Sequence, residues 1–158
     1  MSAPYAAAEP ALEYVFKLTA ELDPPLEQGE IGGLRKRIIP IRGGVVSGPR
    51  LNGVVLPGGA DWQTLRPNNV ADIYARYTLK ADDGTLIAVE NPGVRRGPDE
   101  VMKKLIAGER VDPSSYYFRT TPRLEAPAGP HGWVSESMFV CQGIRWPDSV
   151  EIRFFVVL

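Results

Sequence analysis

Apolar and polar positions alternate through much of this 158-residue chain. In "ALEYVFKLTAEL", Leu12, Tyr14, Phe16, Leu18 and Leu22 share one face, with Glu13, Lys17, Thr19 and Glu21 on the other. A period of two predicts a strand with one buried side, and "DPP" at residues 23–25 ends it. "RKRIIPI" and "GVVSGPRLNGVVL" form a second group, interrupted by Gly43, Gly44, Gly48 and Gly53. Glycines inside strand patterns mark the bulges and bends that let a sheet curl. "DIYARYTLKADDGTLIAVEN" reads as a hairpin: Ile73, Ala75, Tyr77 and Leu79 oppose Asp72, Tyr74, Arg76 and Thr78, and Asp83-Gly84 supplies a type I′ turn. "YYFRTTPRLE", "GWVSESMFVCQGIRW" and "SVEIRFFVVL" follow as three more strands.

One segment departs from this period. "PDEVMKKLIAGE" predicts a helix, with Pro98 at its first position, Asp99 and Glu100 at the positive end of its dipole, and Gly108 where it stops. Val101, Met102, Leu105 and Ile106 form its narrow apolar stripe. About eight to ten strands and one short helix predict an all-β fold, an antiparallel barrel or strongly curled sandwich with the helix as a plug or side cover. A parallel α/β sheet would need several crossover helices.

Composition narrows the function classes. Apolar residues make up 44% and charged residues 23%, as in soluble globular chains. One barrel domain is expected over residues 11–158, behind a flexible tail at residues 1–10. A net charge of −1 gives no global field for nucleic acid or a membrane surface. The basic run "LRKR", Leu34 to Arg37, lacks interleaved aromatics and reads as a solvated strand face. Cys141 is the single cysteine and His131 the single histidine, so neither an internal disulfide nor a His/Cys metal site is expected. No secretory pattern and no bilayer-length apolar run is present, which predicts a cytoplasmic protein. Dinucleotide, P-loop and nucleophile-elbow motifs are missing, so no cofactor is expected. His131, in the loop "APAGPHGW", reads as solvent-exposed rather than as part of a triad.

Two stretches carry candidate chemistry. "PGGADW", residues 57–62, reads as a turn that delivers Asp61 beside Trp62. Asp61 is either a shielded general base or an Asx-type cap on the N–H groups of the turn. Trp62 is either a hydrophobic cap or a stacking surface. In "YYFR", Tyr117 and Arg119 share a face. Facing a lumen, they offer a phenol donor and a cation for a carboxylate or enolate; facing water, they are surface residues. Glu125 is a further acid of interest, and Glu136 alternates with Val134 and Met138 as a prospective ion-pair partner for Arg119.

The segments "IIPIRGGVVSGPRLNGVVLPGGADW", "YARYTLKADDGTLIAVENPG", "VDPSSYYFRTTPRLEAP" and "GWVSESMFV" carry a resemblance that covers most of the chain from about Leu12. The chain resembles domain-of-unknown-function family 3237, also called uncharacterised protein family 0311. The resemblance implies a calycin or allene-oxide-cyclase-like barrel that assembles as a homo-oligomer, and it supplies no reaction. It points to Asp61, Trp62, Tyr117, Arg119, Glu125 and Trp133. The chain departs from the family pattern at Asn68-Asn69, where an Asp-Gly turn is typical, and at Trp133-Val134-Ser135, where "WLN" is frequent. Asn tolerates the left-handed conformation such a turn uses.

The resulting expectation is a small-molecule pocket at a barrel mouth. Asp61, Tyr117 and Arg119 are the catalytic candidates; Trp62, Glu125 and Trp133 are the ligand-binding ones. The chemistry expected is cofactor-free acid/base isomerisation, cyclisation or lyase work on a small carbonyl or aromatic compound. One alternative is a non-catalytic binder of small apolar ligands. Another is an assembly module whose barrel is filled by Tyr14, Phe16, Tyr77, Phe139 and Phe154.

Overall fold

The computed structural model describes residues 5–158, so the first four residues of the expected tail lie outside the described residues. Eleven strands follow in chain order: β1 (Leu12–Leu22), β2 (Leu26–Ile31), β3 (Leu34–Ser47), β4 (Gly53–Val55), β5 (Ala60–Leu65), β6 (Ala71–Ala81), β7 (Leu86–Arg96), β8 (Tyr117–Thr120), β9 (Arg123–Glu125), β10 (Met138–Arg145) and β11 (Ser149–Val157). Among the described residues one α-helix, α1 (Asp99–Ile106), sits between β7 and β8. All pairings are antiparallel. They run β1–β3–β5–β6–β7–β8–β10–β11 and return to β1, so the ladder closes into an eight-stranded barrel. Closure removes the free edges on which sheets aggregate. The short strands β4 and β9 extend the positions of β5 and β8, β4 lying between β3 and β6 and β9 lying along β7. β2 pairs only with β3, as an arm projecting from the barrel.

Strand alternation dictates the interior. β6 is the plainest case, with Ala71, Ile73, Ala75, Tyr77, Leu79 and Ala81 buried and the intervening side chains outward. β1 breaks step at a bulge between Tyr14 and Phe16. The bulge turns Tyr14 to the outer face, where it meets Phe155 edge-on at 5.7 Å, so Tyr14 does not fill the barrel. At one end, Phe16 and Phe154 stack at 4.4 Å with Phe139 against Phe154, and a short 3-10 turn over Gly132–Glu136 closes that end with Val134. Helix α1 attaches at the opposite end, where Arg37 of β3 donates from Nη1 to the carbonyl of Ile106 at 3.2 Å and Asn69 donates to Asp99 at 2.8 Å.

Several local expectations shift. The glycine-interrupted second group forms β3, carried through Gly43 by an irregularity against β1, and, after the bend at residues 48–50, the short strand β4. "PGGADW" turns only at Pro57-Gly58, and the chain is strand from Ala60. The β6–β7 turn is not type I′: Asp83 keeps negative φ, Gly84 alone is left-handed at φ 89°, and its N–H donates to Ala81. That is a type I turn closed by a left-handed residue. Asn69 does adopt the left-handed conformation, at φ 62°. Pro98 caps α1 from just outside it. Glu136 lies in the 3-10 turn rather than on a strand, and it forms no ion pair with Arg119 among the described residues. Among the described residues, no helix is long and apolar enough to cross a membrane.

Candidate functional site

At the helix end, aromatic packing gives way to a cavity of about 50 Å³ inside the barrel. Its apolar wall comes from β1, β3, β6, β8 and β11, among them Leu18, Ile39, Ile73, Tyr77, Phe118 and Ile152. Its polar wall holds Asp61, Gln63, Asn91, Arg95, Thr120 and Arg145. Strand period alone explains this set. Gln63 shares its parity with Leu65, Asn91 and Arg95 share theirs with Ile87 and Val89, and Arg145 follows Phe139 and Cys141. Arg37 follows the same rule, aligned with Ile39 and Ile41, and is only 2% exposed. The basic run is therefore not a uniformly solvated face: Arg35 and Arg37 share one side of β3, but Arg35, further out along the stretch that pairs with the β2 arm, is exposed and Arg37 is buried.

A directional chain of hydrogen bonds fixes Asp61. Arg37 donates from Nε to Gln63 Oε1 at 2.8 Å, and Gln63 donates from Nε2 to Asp61 Oδ2 at 3.1 Å. The other carboxylate oxygen, Oδ1, accepts the backbone N–H of Tyr74 at 2.9 Å. This bond falls where the β5–β6 ladder is interrupted, between the pairs Asp61/Ala75 and Thr64/Asp72. Gly59 lets β5 come this close to β6, because a Cβ there would lie 2.5 Å from the Arg76 carbonyl oxygen. Asp61 thus caps the N–H of a neighbouring strand rather than those of the glycine turn, and it also lines the cavity. Burial pushes its pKa above the ordinary carboxylate value. The Tyr74 N–H, the Gln63 amide, and the charges of Arg95 and Arg37 oppose that shift without cancelling it.

Three guanidiniums share the interior with this one carboxylate. Arg145 donates from Nη1 to the carbonyls of Trp146 and Ser149, and its own N–H donates to the Tyr116 hydroxyl at 3.0 Å. Arg95 is 1% exposed, and its Nε and Nη2 have no hydrogen-bond partner. Burial, and then repulsion from Arg37 and Arg145, push its pKa down to about 10. It therefore stays charged at neutral pH. Asn91 Oδ1 and Thr120 Oγ1 are also buried without partners. Buried polar groups in folded proteins are nearly always bonded, so four such atoms around one cavity mark a place for a ligand or for water.

Of the catalytic and ligand-binding residues expected from sequence, Asp61 alone lines the cavity. Trp62 points out of the barrel and is 43% exposed. Tyr117 and Arg119 project from the outer face of β8, while their neighbours Phe118 and Thr120 point inward. The Tyr117 ring lies beneath the Arg96 guanidinium at 4.3 Å, and Arg119 donates to the carbonyl of Phe118. Glu125 is exposed on β9. Trp133 covers Phe139 near the opposite end, with the Arg50 guanidinium 3.7 Å over its ring. Ser135 is occupied by the backbone of Ala126, donating to its carbonyl and accepting from its N–H. His131 is held by Asp83 at 3.0 Å rather than standing free in its loop. Among the described residues, no group of three His, Cys, Asp or Glu side chains gathers as a metal site.

Comparison with known proteins places the chain. Residues 10–157 match the family described as "Protein of unknown function (DUF3237)". A "UPF0311 protein" from Rhodopseudomonas palustris (strain TIE-1) is 44% identical over 151 residues, which cover 94% of this chain and 99% of that one. The crystal structure of a conserved protein of unknown function from Rhodopseudomonas palustris superimposes with a TM-score of 0.91 at 42% identity, covering 96% of this chain and all of that one. A "beta-barrel like protein" from Acinetobacter baumannii gives a TM-score of 0.85 at 34% identity, covering 98% and 99% of the two chains. This chain belongs to the DUF3237 family.

Proposed function

We propose that the cavity is a small-molecule site in which Asp61 moves a proton at a carbon beside a carbonyl. The observation that carries this reading is a single carboxylate, with its pKa raised by burial, lining a cavity whose other charges are buried guanidiniums. A general base works best with a pKa drawn toward neutrality. Proton removal beside a carbonyl produces an enolate, and fixed cations in a water-poor site stabilise that charge without reorganising. Isomerisation, cyclisation and β-elimination all share this first step. The electrophilic role first considered for Tyr117 and Arg119 passes to the interior arginines, because those two side chains lie on the outer face. Cavity size limits the substrate to a few heavy atoms beyond its reacting group.

The test is deuterium incorporation, followed by proton NMR in D₂O, into a panel of small ketones, lactones and oxo acids. Wild-type protein is expected to accelerate exchange of at least one compound, and Asp61→Asn to lose about 10²–10⁴ of that rate. Melting curves establish that the variant is folded. Equal exchange by wild type and Asp61→Asn would overturn the assignment. The non-catalytic binder has one observation in its favour, that both Asp61 oxygens are already engaged. On that reading no compound exchanges, and Asp61→Asn keeps its affinity.

A further inference from the structure

We propose that the ligand of the barrel cavity carries a carboxylate, which Arg95 grips through its Nε–H and Nη2–H edge. This rests on the cavity being a small-molecule site, and it names the chemical class that the site takes. The same edge is used twice elsewhere in the molecule. Arg35 donates from Nε and Nη2 to the two oxygens of Glu27 at 3.1 and 2.6 Å, and Arg66 does the same to Asp72 at 2.9 and 2.6 Å. Those pairs sit on the surface, where they contribute little to stability. Arg95 presents the identical pair of nitrogens inside the barrel with no hydrogen-bond partner, its guanidinium lying 5.7 Å from the Phe118 ring.

Charge balance points the same way. Arg37 is bonded to an amide and a carbonyl, and Arg145 to two carbonyls. These groups satisfy donors but neutralise no charge. Glu27 approaches Arg37 only from the exposed rim, at 3.8 Å. Among the described residues Arg95 has no carboxylate within ion-pair distance. Taking an unpaired cation out of water is costly, and an anion arriving in the cavity relieves that cost. A carboxylate also matches the planar guanidinium edge bidentately. The cavity walls set the rest of the ligand. Leu18, Ile39 and Ile152 take a short apolar stem, while Asn91 Oδ1 can accept from a hydroxyl or enol and the Thr120 hydroxyl can donate to an oxo or hydroxyl oxygen. The class is a short-chain carboxylic acid with an oxygen substituent.

The experiment uses the full chain, labelled with ¹⁵N, and follows the arginine Nε–Hε resonances during titration with 2-oxobutyrate, butyrate, butyramide and inorganic phosphate. Arg95→Met identifies the Arg95 resonance and Arg95→Gln serves as a second variant, both checked by melting curves. Removing an unpaired buried charge is expected to leave the fold at least as stable. The two carboxylates should shift the Arg95 resonance at millimolar concentration, and butyramide should not. Either Arg95 variant should weaken carboxylate binding about 10- to 100-fold, as expected for loss of a charge-assisted pair. The proposal is overturned if neither acid moves the resonance, if butyramide moves it equally, or if phosphate alone does. Acid binding without deuterium exchange would refute proton transfer at Asp61 and leave the carboxylate site standing. Exchange of neutral ketones without acid binding would do the reverse.

Discussion

Replacing Gln63 by Leu tests whether the chain from Arg37 through Gln63 to Asp61 holds the site together. Leu is close to Gln in volume, so the substitution opens little space. It removes the acceptor of a buried Arg37 Nε–H and the donor to Asp61 Oδ2. Losing a hydrogen bond to a charged group costs about 1.5–3 kcal/mol, and leaving the buried donor unpaired adds about 1–3 kcal/mol. Together they span about 2.5–6 kcal/mol, and the roughly 3–5 kcal/mol seen when a buried charged pair is broken lies inside that span. At about 2–4 °C per kcal/mol for a chain of this size, the melting temperature falls by about 6–20 °C. The loss also depends on pH, and its sign is fixed. Asp61 titrates above its ordinary value of 3.8 in the folded state. As pH rises through 3.8, the unfolded chain releases this proton first, and the folded state loses stability until the raised folded value is passed. Without the Gln63 amide the folded value rises further, so Gln63→Leu loses more, relative to wild type, at about pH 7 than at about pH 4. Gln63→Glu keeps an acceptor for Arg37, so it should recover part of the stability while pushing Asp61 higher still through like-charge repulsion. Thermal melts at the two pH values, with carboxyl ¹³C titration of Asp61, provide the measurement. A Gln63→Leu protein that melts with wild type at both pH values would refute the chain as a stabilising device.

Two further outcomes bear on the closed end of the barrel. Phe154 is fully buried and stacked on Phe16, so Phe154→Ala should cost about 3–5 kcal/mol; urea denaturation showing a loss under about 1 kcal/mol would contradict the packing described. Burial pushes the Cys141 thiol up, so iodoacetamide should label it only as fast as the protein unfolds. Labelling of the native protein at the rate of a free thiol would place Cys141 nearer the surface than the barrel does.

The strands with one apolar face were legible residue by residue. β6 keeps the parity read from "DIYARYTL", and α1 buries Met102 and Leu105 from the expected stripe. The polar wall was equally available, because Arg37, Gln63, Arg95 and Arg145 all share parity with buried neighbours. What concealed it was the ordinary cost of burying charge, which makes an arginine in a strand pattern read as outward. Tyr117 and Arg119 posed the opposite problem. Phe118 and Tyr117 are both aromatic, so composition did not separate the faces of β8, and only the pairing with β7 and β10 does so. Tyr14 was misplaced for a third reason, since a one-residue bulge reverses every side chain before it and leaves no mark in the alternation.

The aromatic stack and the cavity wall draw on different side chains: Phe16, Phe139 and Phe154 are absent from the cavity, and Ile39, Ile73 and Ile152 from the stack. Leu18 and Ile152 adjoin the stack, two residues along β1 and β11 from Phe16 and Phe154, whereas Ile39 and Ile73 stand on β3 and β6. Well-separated sites tend to change stability independently. A lineage can therefore trade Ile39 or Ile73 for Val or Leu, resizing what the cavity admits, without loosening the pillar that keeps the barrel closed. The same separation makes the helix end a natural place for laboratory recombination, with the aromatic end left untouched as the constant half of the library.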